Sequence, residues 1–395
     1  MFAGEADVDR TCTGTVAAMP LSVRSSALTF LAFAMPVSMF GVMWPDVRDR
    51  FDQSLGALGT VSLVYGLSRM STSGLGRRAT RHISIGACFI SGIVLLVVAG
   101  LLTSGATSWT MFLVGVGAIG VVTGLLDSVG AGVIATLGDV GSAGIIHGSY
   151  GVGATIGPLV VAAVPDWRMS LVVAAIVGVL ALALAIRARE AWPDPPAVAV
   201  STDVGRVPRR ATAISLMMFF AFISLEVTFG SWLFTYLTES RLIGDTVAAI
   251  GVSGFWGGTM VGRLLLVSER VRLLADRVGM PALAVAGMAA TALTTAAPGA
   301  AVIVTTTAVG LSIAGIVPTL SARTADRVGA EHAQKVSGWQ LLAANVGAIG
   351  VPYLVGELID VHGADVTIIV VLAVFALGLP TLVIARPKPA VLPSR

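Results

Sequence analysis

Stretches of about twenty apolar residues recur along the whole chain, and nothing else in the sequence constrains its fold as strongly. A helix rises 1.5 Å per residue, so each run covers the ~30 Å of a bilayer's hydrocarbon core. Lipid offers no partner to a free backbone N–H or C=O, so runs of this kind are helical. Windows bounded by charge or by Gly/Pro breaks give twelve spans: 27–45, 55–74, 82–102, 109–137, 143–164, 168–187, 212–237, 246–266, 279–297, 300–321, 334–357 and 365–385. Composition agrees. Of 395 residues 55% are hydrophobic and 12% charged, and mean hydropathy is +0.90, whereas a soluble chain carries about 25% charge. The expectation is an all-α integral membrane protein with 12 transmembrane helices.

Basic residues set its direction. With the N-terminus inside, 20 Arg and Lys fall on the cytoplasmic side, and the outside receives only Arg48, Arg50, Arg168 and Arg241. Such asymmetry orients a polytopic chain in the cell (cytoplasmic) membrane with both termini cytoplasmic. The same pattern accounts for the formal charge of +3 without nucleic acid as a partner. Cys12 and Cys88 make no disulfide framework, and the first 26 residues show no cleavable signal peptide.

The longest polar stretch, "RAREAWPDPPAVAVSTDVGRVPRR", separates two sets of six spans. The expected organisation is a cytoplasmic tail 1–26, a six-helix half 27–187, a cytoplasmic linker 188–211, a second six-helix half 212–385 and a tail 386–395. The halves resemble each other: "LGTVSLVYG" (58–66) parallels "IGVSGFWGG" (250–258), and "VGATIGP" (152–158) parallels "VGAIGVP" (346–352). The offsets are 192 and 194. Six spans per copy is even, so the copies run in the same direction, related by an axis along the membrane normal.

Two acids lie where water is scarce. Asp127, in "GLLDSVGAGVIATLG", and Glu226, in "FFAFISLEVTFGSWLFTYL", both fall near mid-depth, one in each half. A charge there costs at least ~2.5–3.5 kcal/mol, so it calls for a cavity, a partner or a proton. No lysine occurs inside a span, and Arg69 is the one deep cation, toward the cytoplasm. Desolvation of an unpaired carboxyl then suits it to carry a proton, and Asp127 and Glu226 are the candidate coupling acids. Spans 1, 4, 7 and 10 are expected to line a central cavity. Candidates to meet a solute there are His147, Tyr150, Trp232, Trp256, Trp339, Gln340 and Asn345. Amides beside aromatic rings suit a sugar-like molecule, although the same amides also join helices and the same rings also anchor at interfaces. Arg69, Arg77, Arg78, Gly157, Pro158, Arg263 and Pro352 are the candidate gating positions. Pro158 and Pro352 occupy equivalent places in the repeat.

"GVMWPDVRDRF", "GLLDSVGAGVIATLG", "HGSYGVGATIGP", "LEVTFGSWLFTYL" and "GFWGGTMVGRLLL" give the chain a resemblance to the fucose permease branch of the major facilitator superfamily. The resemblance implies two pseudo-symmetric six-helix bundles and transport by alternating access, with the acid at Asp127 as proton carrier. It also shows departures: the branch's span-1 carboxylate falls on Gly41, and an asparagine shortly after the span-4 acid falls on Ala131. The expected activity is secondary active, proton-coupled movement of a small polar solute by a monomer, with sodium as an alternative to the proton. A drug or metabolite–proton antiporter and a non-transporting membrane sensor are the competing readings. Lys335 and Lys388 follow Gln and Pro, so no phosphate-binding Gly-Lys loop is present. No motif calls for enzymatic chemistry, a cofactor or a metal.

Overall fold

The computed structural model describes residues 20–137, 140–164, 166–192, 206–266, 268 and 278–384. Most of the expected tails and linker, and the Arg77 side chain, lie outside the described residues. Those described form helices joined by short turns: α1 Leu21–Met39, α2 Trp44–Phe51, α3 Leu58–Thr72, α4 Gly76–Ala79, α5 Ile85–Ser104, α6 Trp109–Leu137, α7 Val140–Ala163, α8 Trp167–Arg187, α9 Arg209–Thr235, α10 Asp245–Leu265, α11 Met280–Thr294, α12 Ala301–Ile313, α13 Ile316–Ala322, α14 Thr324–Val328, α15 Ala330–His362 and α16 Val366–Ile384. Helix α9 continues into a π turn, Tyr236–Ser240. The long helices run between two faces. One carries α2; the other, the terminal face, carries the starts of α1 and α9 and the end of α16.

Nine helical stretches among the described residues are long and apolar enough to cross a membrane. The three expected spans that fall short are α3, α10 and α11. Helices α3 and α11 have 15 residues each, and α10 is diluted by glycines, Asp245 and Arg263. Two of the three therefore carry an arginine inward. Span 1 also differs: its helix starts at Leu21, after Pro20, and stops at Met39, because a turn precedes Trp44-Pro45, where the separate α2 begins.

Glycine decides which helices touch. A Cβ on Gly124 of α6 would collide with the Arg69 carbonyl of α3, and one on Gly153 of α7 with the Leu31 carbonyl of α1. Small residues let backbones approach to this distance, which lipid-facing apolar side chains would prevent. The repeat is visible in the same contacts. Gly120 meets the Tyr65 carbonyl and the Arg69 amide, and Gly310 meets the Phe255 carbonyl and the Thr259 amide, an offset of 190 at every position. Spans 2 and 8 thus align two residues away from the register that their glycines suggest in sequence.

Two apolar cores result. One runs from Val23 to Ala185, and the other from Met218 to Leu382. The residues that cross over are Trp232, Val355 and Ile359, which join the first, and Val42, which joins the second. All four lie toward the α2 face. Gly153→Ala should therefore destabilise the protein by about 1–3 kcal/mol, whereas Gly350→Ala, with nothing within 4 Å of its Cβ, should change it by no more than about 1 kcal/mol, in the stabilising direction. Thermal unfolding in detergent compares the two.

Candidate functional site

Helix α3 brings Arg69 into the interior because Gly120 and Gly124 of α6 let the two helices close. One turn past Gly124 stands Asp127, whose Oδ2 accepts a hydrogen bond from Arg69 Nη2 at 2.7 Å. The side chains remain 34% and 37% exposed. Tyr65, one turn before Arg69, lies 3.2 Å from the Thr123 hydroxyl on α6. The expectation of an acid without a cationic partner is corrected here.

The same correction applies to Glu226. Arg263 Nη2 donates to Glu226 Oε1 at 2.7 Å and Oε2 at 2.8 Å, with the Glu226 side chain 11% exposed. Arg263 reads in sequence as part of the terminal basic belt. A helical side chain leans toward its helix's N-terminus, which for α10 is the α2 face, so the guanidinium reaches inward. That lean was the available signal.

A cavity of about 840 Å³, counting its open mouth, lies between the two cores, within the size range of small-molecule sites. Its lining includes Phe40, Gly41, Ser62, Tyr65, Arg69, Tyr150, Ser231, Trp256 and Asn345. They come from α1, α3, α7, α9, α10 and α15, with residues of the turn after α1. The expected walls from spans 4 and 10 are thus replaced by spans 2, 5, 8 and 11, and span 4 acts through Asp127 on Arg69. Tyr150 lies within electrostatic range of Arg69, Glu226 and Asp127. The Trp256 indole N–H is buried without a hydrogen-bond partner.

Other candidates lie elsewhere. His147 is exposed, edge-on to Phe30 with ring centroids 5.9 Å apart. Trp232 is fully buried and donates to the Pro352 carbonyl at 3.0 Å, tying α9 to α15. Gln340 is buried at the terminal face, donating to the Ser215 hydroxyl at 2.6 Å. Trp339 is 38% exposed, beneath the Lys335 ammonium at 5.7 Å. Gly157 packs against Ser38 and the Met35 carbonyl of α1. Pro158 and Pro352 stand inside α7 and α15, and Arg78 is exposed on α4.

The cavity is roofed at the α2 face. The start of α3 meets the end of α15, where Asp360 accepts from Ser54 Oγ and from the Gly56 amide, each at 2.7 Å. Arg48 Nη2 stands 3.3 Å from Glu239 Oε1. Burial, then the carboxylates of Asp245, Asp49 and Asp166, push the Asp46 carboxyl above its ordinary range.

A model described as Major Facilitator Superfamily matches residues 26–272, more than half of the chain. A protein named glucose/galactose transporter, from Brucella abortus biovar 1 (strain 9-941), is 28% identical over 201 residues, 50% of this chain and 48% of that protein. The chain thus spans about half the length of that curated relative. "Bypass of stop codon protein 6" of Saccharomyces cerevisiae (strain ATCC 204508 / S288c) is 24% identical over 65% of this chain and 59% of its own length. Among solved structures, a mutant of the nucleoside transporter NupG superposes with a TM-score of 0.72 at 12% identity, over 93% of this chain and 100% of that one. A bacterial homologue of the human lysosomal transporter Spinster, in an inward-facing and unoccupied conformation, gives 0.66 at 13% identity, over 93% and 98%.

Arg263→Ala should cost about 2–4 kcal/mol by leaving Glu226 buried and unpaired, and adding Glu226→Gln should recover most of that. Thermal unfolding of the single and double variants measures it. Asp46 gives a pH prediction. Its raised value means that the closed face binds a proton more tightly than one in which Asp245 has moved away. Closure is therefore favoured as pH falls through that value and weakened above it. The separation of spin labels on α2 and the start of α10, followed against pH, should shorten in acid and lose that response in Asp46→Asn.

Proposed function

The chain belongs to the major facilitator superfamily, and we propose that it is a secondary active transporter for a small, polyhydroxylated solute, driven by protons through Asp127. One observation carries this reading: Arg69 lines the cavity and at the same time holds Asp127 at 2.7 Å. A proton on Asp127 removes the counter-charge of Arg69, and the freed guanidinium turns its donors to the solute. Solute and proton then load together, which couples their movements. Tyr65, Trp256 and Phe40 offer faces for the C–H side of a sugar ring, while Ser62, Ser231 and Asn345 offer groups for its hydroxyls. The likeness to a glucose/galactose transporter supports a sugar-like solute.

The distribution of basic residues supports a cytoplasmic terminal face, which makes the roofed α2 face external. Glu226 is the more enclosed acid, with both oxygens on Arg263, and we assign it to holding α9 against α10 as the halves tilt. Gly157 has a packing role against α1.

Reconstituted protein tests the reading. Asp127→Asn should lower uptake driven by an inward proton gradient at least tenfold while leaving hexose or nucleoside exchange at equal pH within about threefold. Gradient-driven uptake that survives in the variant removes Asp127 from coupling. Uptake that follows a sodium gradient instead replaces the proton.

A further inference from the structure

We propose that Asp360 is the latch of the α2 face: a helix cap supplied in trans, from α15 to the start of α3, that must be released before the cavity opens there. The inference rests on the alternating access proposed above. Its geometry is independent of the solute and of the coupling ion.

Asp360 lies in the last turn of α15, which ends at His362. A carboxylate there opposes its own helix, whose C-terminus carries partial negative charge. It is favourable at the opposite kind of end, where unpaired N–H groups collect. Such an end faces it. The chain enters α3 through a short 3-10 turn, Leu55–Ala57, and the preceding Ser54 makes no side-chain cap to its own helix. Asp360 Oδ1 accepts from the Gly56 amide instead, and Oδ2 accepts from Ser54 Oγ. One carboxylate thereby satisfies two donors that belong to a helix some three hundred residues away.

The backbones are shaped for this contact. A Cβ on Gly56 would strike the Gly356 carbonyl and the Asp360 carboxylate, and one on Gly59 would stand 3.0 Å from the Tyr353 carbonyl. Glycine on both helices is what lets a side chain as short as aspartate reach an amide across the seam. Any movement that admits a solute from this side separates α3 from α15 and strips both bonds, leaving the α3 amides to water. A second polar tie in the roof among the described residues, Arg48 with Glu239, is a partly exposed ion pair at 3.3 Å and adds little.

Side-specific labelling tests the latch. In the full chain with Cys12→Ser, a Ser62→Cys substitution places a thiol on the cavity wall beneath the roof, and the buried Cys88 remains as an internal reporter of loosening. A membrane-impermeant maleimide is added from the α2 side, without solute. Asp360→Ala should raise the rate at position 62 roughly five- to tenfold, the ratio expected for loss of one helix cap. Asp360→Asn should raise it less, because the Oδ1 acceptor for Gly56 persists, and Ser54→Ala should also raise it less. Cys88 should stay unlabelled in all three. A rate in Asp360→Ala within twofold of the parent overturns the latch, and so does labelling of Cys88 that rises in step. Hexose or nucleoside uptake by separate vesicles holding the chain with Ser62 intact separates the two ideas: uptake there with no labelling response in the reporter protein discards the latch alone, whereas absent uptake with the response intact discards the proposed transport.

Discussion

Arg69 and Asp127 face each other at 2.7 Å where neither charge is fully hydrated, and the rest of the site is arranged around that pair. An isolated carboxylate or guanidinium at this depth costs several kcal/mol. Together they attract, with water in the cavity screening part of that attraction, yet the arrangement is costly to disturb one partner at a time. That combination suits a switch better than a structural strut. A strut is served by apolar packing of equal volume, which carries no desolvation cost. An ion pair at the wall of a solvent-reached cavity changes state whenever a proton or a hydrogen-bonding solute arrives.

The scaffold closes the cavity above this pair at the α2 face. Contacts between the two cores gather toward the α2 face, through Trp232, Val355, Ile359 and Val42, and the backbone approach of Gly56 to Gly356 closes it further. Helices α7 and α10 stay packed along a seam from Gly148 on Leu264 to Gly151 on Met260 and Gly257 on Thr155. A seam of that kind permits tilting without exposing new apolar surface. The α2-face contacts, by contrast, are polar at their edge, through Asp360, and set on glycine at Gly56 and Gly59.

Much of this was legible in sequence for a physical reason. Length and apolarity are what lipid demands of a span, so helix order and the depth of Asp127 and Glu226 follow from local composition, whereas the break in span 10 between Ile313 and Ile316 does not. What was not legible depends on direction and distance. Arg263 looks like a belt residue when only its position is counted, and becomes the partner of Glu226 once the lean of a helical side chain is included. Gln340 and Trp232 have the chemistry of solute-binding groups, but they are spent on Ser215 and on the Pro352 carbonyl. No periodicity reveals which polar side chain already has a partner. Asp360 is the extreme case, since its role exists only through a helix from the other end of the chain.

The repeat register sharpens the difference between the two acids. By the helix contacts that fix the offset at 190, Arg69 of α3 corresponds to Thr259 of α10, and Arg263 lies one turn further toward the terminal face. Neither arginine is the copy of the other, and their acids come from non-equivalent spans, the fourth and the seventh. A symmetric fold thus carries an asymmetric pair of charges. One pair borders the cavity and is about a third exposed; the other is drawn toward the terminal face, with its carboxylate enclosed. Two identical switches would load and unload in step and give no preference for which half answers the proton. Placing the accessible pair in one half and the enclosed pair in the other leaves the two halves unequally open to whatever enters the cavity.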